Sequence, residues 1–264
     1  MLLPGFDPAA VVGAVAEHRA SLFFGVPTMY HRLARSGLAS SLGGLRLCVS
    51  GSAPLSRELQ TEVSAIIGTP VLERYGMTET LMNVSNPYEG ERRAGTVGFP
   101  LPGVEVALSE EEEILVRGPN VFDGYWERPT VNADIFVPSL DGGSPWFRTG
   151  DLGVDDDGYL AIVGRMKELI ISGGFNVYPR EVEDVLATHP GVVEVAVTGT
   201  PSDEWGEVVT AWIVANGVAP SVDELLEFTG PALAAYKRPR LVHVLNELPR
   251  NALGKVVRDQ LGRS

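Results

Sequence analysis

The sequence predicts an α/β protein in two unequal parts that divide near residue 164, and three observations predict it. Residues 22–80 repeat apolar strand, glycine turn and helix start, the pattern of a parallel sheet. Residues 96–163 change to short alternating strands with turns (VEVAL, EEEILVRG, WFRTGDLG, DDDGYLAIVG), which is antiparallel β material. Beyond the stretch GRMKELIISGGFNVYPREVE, Gly164 to Glu183, a small α+β module follows. That stretch reads as a hinge between a domain over 1–164 and a small mobile domain over 165–264. A chain of 264 residues allows the division, at roughly 100–200 residues per domain.

Each element has a local cause. Asp7 caps a first helix with Pro8 at its opening position, and Val11, Val12, Val15 and Ala16 recur at helical spacing. Leu22 to Val26 reads as a buried strand, and Pro27 and Thr28 open a helix carrying Tyr30, His31 and Leu33. Tyr30 and His31 suit core packing or a pocket wall equally, because α/β sheets hold ligands where strand ends meet helix starts. Leu45 to Ser50 is the next strand, SGSAPL its turn, and a helix opens near Ser56 with Glu58 in its first turn. Val71 to Tyr75 is a strand that ends at Gly76, before Thr78 and Glu79. Right-handed crossovers put both turns at one sheet edge, where they can share a ligand.

In the antiparallel region, Asp155 to Gly158 reads as a solvated hairpin turn, without the spacing of a calcium loop. Asp151 in TGDLG is either a turn cap or a carboxylate facing a sugar. After the hinge, Tyr178 and Pro179 introduce a helix with Val182, Val185 and Leu186 on one face. Val193, Val195 and Val197 alternate as in a half-exposed strand, with Val208 to Val214 as its partner. Ser221 and Glu224 make a capping box, and Leu241 to Leu245 is a last strand. The proline and glycine of PRNALGK leave Lys255 on a loop, where a lysine is a solvated residue or a catalytic one.

Composition excludes several classes. A formal net charge of −13 without a basic stripe argues against nucleic-acid and anionic-membrane partners. No apolar run approaches the ~20 residues of a spanning helix, and MLLPGFDPAA lacks a basic n-region, so a cytoplasmic protein is expected. The single cysteine, Cys48, excludes an internal disulfide; its run LRLCVSG suits a buried strand, with nothing nearby to activate a nucleophile. His18, His31, His189 and His243 show no zinc spacing.

Four motifs in order, YGMTET, FRTGDLG, GRMKELIISGGFNVYPREVE and PRNALGK, resemble the adenylate-forming superfamily of acyl-CoA synthetases, luciferases and adenylation domains. The resemblance implies that ATP activates a carboxylic acid to an acyl-adenylate, releasing pyrophosphate, and that a thiol then displaces AMP. By the same resemblance Thr78 hydrogen-bonds a nucleotide phosphate and Glu79 holds Mg²⁺, which prefers oxygen ligands. Ser52, Ala53, Pro54, Glu73 and Tyr75 frame the adenine and the acyl pocket. Asp151 and Arg165 bind the ribose hydroxyls as acceptor and donor. Lys255 bridges carboxylate and α-phosphate in the first step, a contact whose loss typically costs ~3 kcal/mol or more. Lys167 is the hinge residue, and Ser172, Gly173, Gly174 and Phe175 line the channel for the pantetheine of coenzyme A.

The stretch ERYGMTETLMNVSNPYEGERRAGTVGFPLPGVEV is similar to malonyl-CoA synthetases, which implies malonate or methylmalonate as substrate. Arg74 stands where many relatives carry glycine, and with Ser52 it faces the acyl group in this reading. A dicarboxylate needs a partner for its distal carboxylate, which a bidentate arginine supplies. An unpaired Arg74 penalises monocarboxylates by about 2–5 kcal/mol. The alternative is an Arg74 salt-bridged to Glu73 or Glu79 at the surface.

The phosphate loop of the family, near TSGTTG, occurs nowhere in the 264 residues. It is expected upstream of residue 1, and Leu2 and Leu3 read as chain entering mid-domain. The parallel sheet is therefore expected to be incomplete, as the C-terminal portion of the large AMP-binding domain, with its own N-terminal half as a partner. Adenylation by this chain alone is expected to be feeble, while thioester formation from supplied acyl-adenylate survives. The competing readings are a ligase for another short-chain acid, a carrier-loading adenylation domain, and a non-catalytic nucleotide- or CoA-binding fragment.

Overall fold

The computed structural model describes residues 5–140, 142–251 and 255–262; Leu2, Leu3 and residues 252–254 of the turn before Lys255 lie outside them. The chain forms two compact units, Met1–Thr149 with Gly153–Ile162, and Gly150–Leu152 with Val163–Ser264. Asp151 thus groups with the second unit.

In the first unit α1 (Pro8–Glu17) begins where Asp7 Oδ1 accepts from Ala10 N at 2.8 Å. It is followed by β1 (Leu22–Gly25), α2 (Pro27–Arg35), β2 (Leu47–Ser50), α3 (Arg57–Ile67) and β3 (Leu72–Met77). Strands β1, β2 and β3 pair in parallel, with Leu22 opposite Leu47 and Val49 opposite Leu72. Tyr30, Leu33, Leu42, Leu55, Val63 and Ile67 fill the core beside them. Tyr30 belongs to that core, for its ring is fully buried and its hydroxyl donates to Val49 O at 2.9 Å.

The strand expected to stop at Gly76 runs on to Met77 and folds back as a hairpin with β4 (Leu81–Ser85). A register shift between Tyr75 and Gly76 makes this possible, and only glycine fits there: a Cβ would overlap Leu81 O and meet Met82 Cα at 2.9 Å. With β5 (Phe99–Pro100) the sheet has the order β1-β2-β3-β4-β5. Next come β6 (Glu105–Leu108), β7 (Glu113–Arg117), α4 (Pro129–Ile135), β8 (Phe136–Val137), β9 (Trp146–Asp156) and β10 (Tyr159–Arg165). They build a sheet ordered β10-β9-β7-β6, with β8 on β9. The turn after β9 is capped by Asp155 Oδ1, which accepts from Gly158 N at 2.8 Å.

The second unit contains β11 (Ile170–Ser172), β12 (Phe175–Val177), α5 (Pro179–Leu186), β13 (Val192–Ser202), β14 (Gly206–Ala215), α6 (Val222–Thr229) and β15 (Leu241–Leu245). Its sheet runs β12-β11-β14-β13, with β15 parallel to β14. Ile170, Val182, Leu186, Val197, Ile213 and Leu225 form its core. The capping box of α6 is present, Ser221 N donating to Glu224 Oε2 at 2.7 Å, and these bonds hold the Glu224 carboxyl below its usual range. The simple alternation expected in β13 fails. A bulge between Val192 and Glu194 leaves Val193 49% exposed, while Ala196 is buried in a second cluster with Trp212 and Leu248. Both faces of β13 are covered beyond the bulge, and a strand covered twice does not alternate. No helix among the described residues is long and apolar enough to cross a membrane.

Candidate active site

In the first unit the candidate residues gather around β3 and the turn after β2. Side chains of a strand alternate, so Leu72 and Arg74 share one face and Glu73 and Tyr75 the other. Glu73 is only 4% exposed, and its Oε1 accepts from Leu55 N at 2.9 Å, strapping the turn that carries Ser52, Ala53 and Pro54. Ser52 in that turn has φ of 68°, a left-handed conformation that a serine holds only under local constraint. Tyr75 packs with Val84, Val97, Ile114 and Leu160.

On the opposite face, Arg74 lines a groove with Phe24, Val49, Leu72, Ser85 and Phe99. Its guanidinium carbon stands 5.0 Å from the centre of the Phe24 ring. Among the described residues Arg74 forms no ion pair. Glu73 and Glu79 make their hydrogen bonds elsewhere, so the alternative of a surface salt bridge to either does not occur.

The hairpin between β3 and β4 carries exposed Thr78 and partly buried Glu79. Glu79 Oε1 accepts from the Tyr125 hydroxyl at 2.7 Å, and Thr80 O accepts from Asn120 Nδ2 at 2.7 Å. The bond to Glu79, then burial, then the carboxylate charge raise the Tyr125 phenol above its ordinary range.

In the second unit Arg165 Nε lies 3.1 Å from Asp151 Oδ1, which sets a buried acceptor beside an exposed donor. Lys167 is exposed on a short 3-10 turn, Met166–Glu168. The neighbouring Glu168 pairs with Arg258 at 3.1 Å, and Arg258 reaches Glu183 at 2.7 Å. Burial pulls the Arg258 guanidinium down, but Glu183 and then Glu168 outweigh it and hold it above its ordinary value.

Ser172 and Phe175 face each other across the β11–β12 hairpin, whose turn residues Gly173 and Gly174 have φ of 59° and 81°. That turn needs two left-handed residues, so glycine serves at both. The chain passes close to Trp205, where a Cβ on Gly173 would come within 2.9 Å of the indole. Arg240 lies over the Trp205 ring at 3.9 Å, and Phe175 stacks on Tyr236 at 4.6 Å. Lys255 closes a small loop with Asn251, its N donating to Asn251 Oδ1 at 3.0 Å and its O accepting from Asn251 N at 2.9 Å. No carboxylate pairs with its ammonium among the described residues. Cys48 is buried, and burial pushes its thiol up to about 11, which suits packing and not nucleophilic attack.

Sequence reasoning missed Asn120 and Tyr125 around Glu79, and Trp205, Tyr236 and Arg240 around the glycine turn. The aromatic and basic run YKRPR at 236–240 was the available signal for the second group. The first group had none, because its bonds join segments far apart in sequence.

The model of the AMP-binding enzyme family matches residues 1–126, and that of the AMP-binding enzyme C-terminal domain matches residues 181–255. The chain is 40% identical to a malonate--CoA ligase of Arabidopsis thaliana over 274 residues, covering 92% of this chain and 44% of that protein. It is 35% identical to a long-chain-fatty-acid--CoA ligase of Bacillus subtilis over 277 residues, covering 99% of this chain and 48% of that protein. It is similar to the crystal structure of ATP-bound MatB from Rhodopseudomonas palustris, with a TM-score of 0.90 and 44% identity over 98% of this chain and 53% of that one. The chain spans about half the length of the relatives it matches.

Proposed function

Because the chain belongs to the AMP-binding enzyme family of adenylate-forming acyl-CoA synthetases, we propose that it acts in the ATP-dependent joining of malonate or methylmalonate to coenzyme A. The observation that carries the choice of acid is Arg74. A guanidinium without a carboxylate partner among the described residues, set in a groove beside Phe24, Val49 and Leu72, suits a substrate that brings a second carboxylate. Similarity does not make that choice, since relatives acting on malonate and on long-chain fatty acids match comparably.

In this reading the first unit is the AMP-binding part and the second the C-terminal domain. Thr78 donates to a phosphate oxygen, and Ser52, Ala53, Pro54, Glu73 and Tyr75 frame adenine and acyl group, Glu73 by holding the turn. Glu79 suits Mg²⁺: it is a hard oxygen donor that is partly open to solvent. Among the described residues no cluster of three metal-ligating side chains exists, which fits a cation carried mainly on phosphate oxygens. An ion held there would supply charge neutralisation for the phosphates. Asp151 accepts from the ribose hydroxyls and Arg165 donates to them.

Lys255 bridges the acid carboxylate and the α-phosphate in the first half-reaction. The turn Ser172 to Phe175 serves the second, with Trp205 and Tyr236 as aromatic surfaces and Arg240 as a cation for the nucleotide end of coenzyme A. Lys167 is the hinge residue. The reaction is assigned to the cytoplasm, where its co-substrates occur.

The test is Arg74→Gly in the complete enzyme, the chain joined to its expected N-terminal half, with malonate compared against propionate under identical Mg·ATP and coenzyme A. The ratio of the two rates should fall by about 30-fold or more, the equivalent of ~2 kcal/mol. An unchanged ratio removes Arg74 from recognition and leaves a ligase for another short-chain acid, or a carrier-loading adenylation domain.

A further inference from the structure

Glu79 is held from outside its own hairpin. Its backbone oxygen accepts from Phe122 N at 2.8 Å, while its Oε1 accepts from the hydroxyl of Tyr125, 46 residues away in sequence. Tyr125 is itself fixed at both ends of its peptide: its N donates to Asn132 Oδ1 at 2.8 Å and its O accepts from Asn132 Nδ2 at 3.0 Å. Its ring lies edge-on to Phe122 at 4.9 Å, and Phe122 is edge-on to buried Phe147 at 5.5 Å. The loop before α4, fixed by Asn132 of α4, is thus tied to the hairpin at the Glu79 backbone through Phe122 and reaches the Glu79 carboxylate through Tyr125. Burial does not call for this, since Tyr125 is 38% exposed.

Resting on the reading of Glu79 as the magnesium ligand, we propose that Tyr125 is the positioning residue of that site. Its hydroxyl takes a lone pair of Oε1, fixes the carboxylate plane and leaves Oε2 as a single oxygen for an ion carried on the phosphates. Mg²⁺ demands near-octahedral geometry and keeps several waters, so a carboxylate free to turn is a poorer ligand. A phenol suits the task better than a cationic donor, because it orients the carboxylate without cancelling the charge that attracts the metal. Outer hydrogen bonds of this kind typically change metal affinity by about 10–100-fold.

The test takes Mn²⁺ as probe ion and follows protein-bound Mn·ATP by water-proton relaxation in the chain joined to its expected N-terminal half, for the wild type, Glu79→Gln, Tyr125→Phe and the double variant. Metal-free ATP binding and thermal midpoint are read on the same samples. Tyr125→Phe should weaken metal binding by about 10-fold or more while metal-free ATP binding stays unchanged. Glu79→Gln should lose it, and the double variant should match Glu79→Gln. Equal Mn²⁺ binding by wild type and Glu79→Gln, including none by either, overturns the metal reading and this proposal with it. A metal affinity that falls in Glu79→Gln but holds in Tyr125→Phe overturns the positioning role alone, leaving the bond as a staple of the loop. So does a Tyr125→Phe effect that persists in the Glu79→Gln background.

Discussion

Glu79 in the first unit and Lys255 in the second are both assigned to phosphate charge, yet the chain holds them by different means. Glu79 sits on a hairpin closed by a close approach at Gly76 and tied by Asn120, Phe122 and Tyr125, all from distant segments. Lys255 sits on a loop whose described closing bonds are short-range, Lys255 N donating to Asn251 Oδ1 at 3.0 Å and Val257 N to Pro249 O at 2.8 Å, with Arg250 beside it tied to Glu194 at 2.6 Å. Among the described residues no carboxylate pairs with its ammonium. Charge that must meet phosphate in a fixed geometry gains from preorganisation. A side chain required in only one half-reaction gains from a charged end that no fixed partner holds.

The largest effect that sharpens this contrast is expected at Gly76. A side chain there collides with the backbone of Leu81 and Met82, so Gly76→Val should destabilise the first unit by ~3 kcal/mol or more, read as a fall in the urea midpoint. Wild-type stability would mean that the hairpin adapts, and that Glu79 is less firmly placed than the contacts suggest. The second unit has a tertiary tie of its own at Arg258, which joins Glu168 and Glu183, while Glu183 also accepts from Val197 N at 2.7 Å. Arg258→Ala strips the partner from two carboxylates and should cost about 2 kcal/mol. A cost near zero would mean that this tie does not hold the second unit together. Asn120→Ala, which removes the bonds to Thr80 O and Asn83 Oδ1, should cost about 1–2 kcal/mol in denaturant melts. At the small end, Lys255→Ala should leave stability within about 0.5 kcal/mol. A larger loss would reveal a tertiary role for Lys255 and break the comparison.

Legibility in the sequence followed the same division. The caps at Asp7, Ser56 and Ser221 and the turn at Asp155 were readable because each is a bond to a residue three positions along. The hairpin at Gly76 was not, because whether β3 ends or continues depends on the approach of β4. Val193 misled for a like reason: its exposure follows from a bulge and from Trp212 and Leu248 covering the other face. Among the candidate site residues, motif positions were visible one by one. Their holders Asn120 and Tyr125 were not, since a bond across 40 or 46 residues leaves no local pattern. The left-handed Ser52 was likewise hidden, because serine does not announce that conformation as glycine does.

The most direct measurement separates the two half-reactions in the chain joined to its expected N-terminal half, as wild type and Lys255→Ala: malonate-dependent pyrophosphate release from Mg·ATP, and thioester formation from supplied malonyl-adenylate and coenzyme A. Lys255→Ala should lower the first by about 100-fold or more and leave the second near the wild-type rate. Equal loss in both, or no malonate-dependent loss in the first, would contradict the assignment of Lys255 to adenylation and the division of labour built on it.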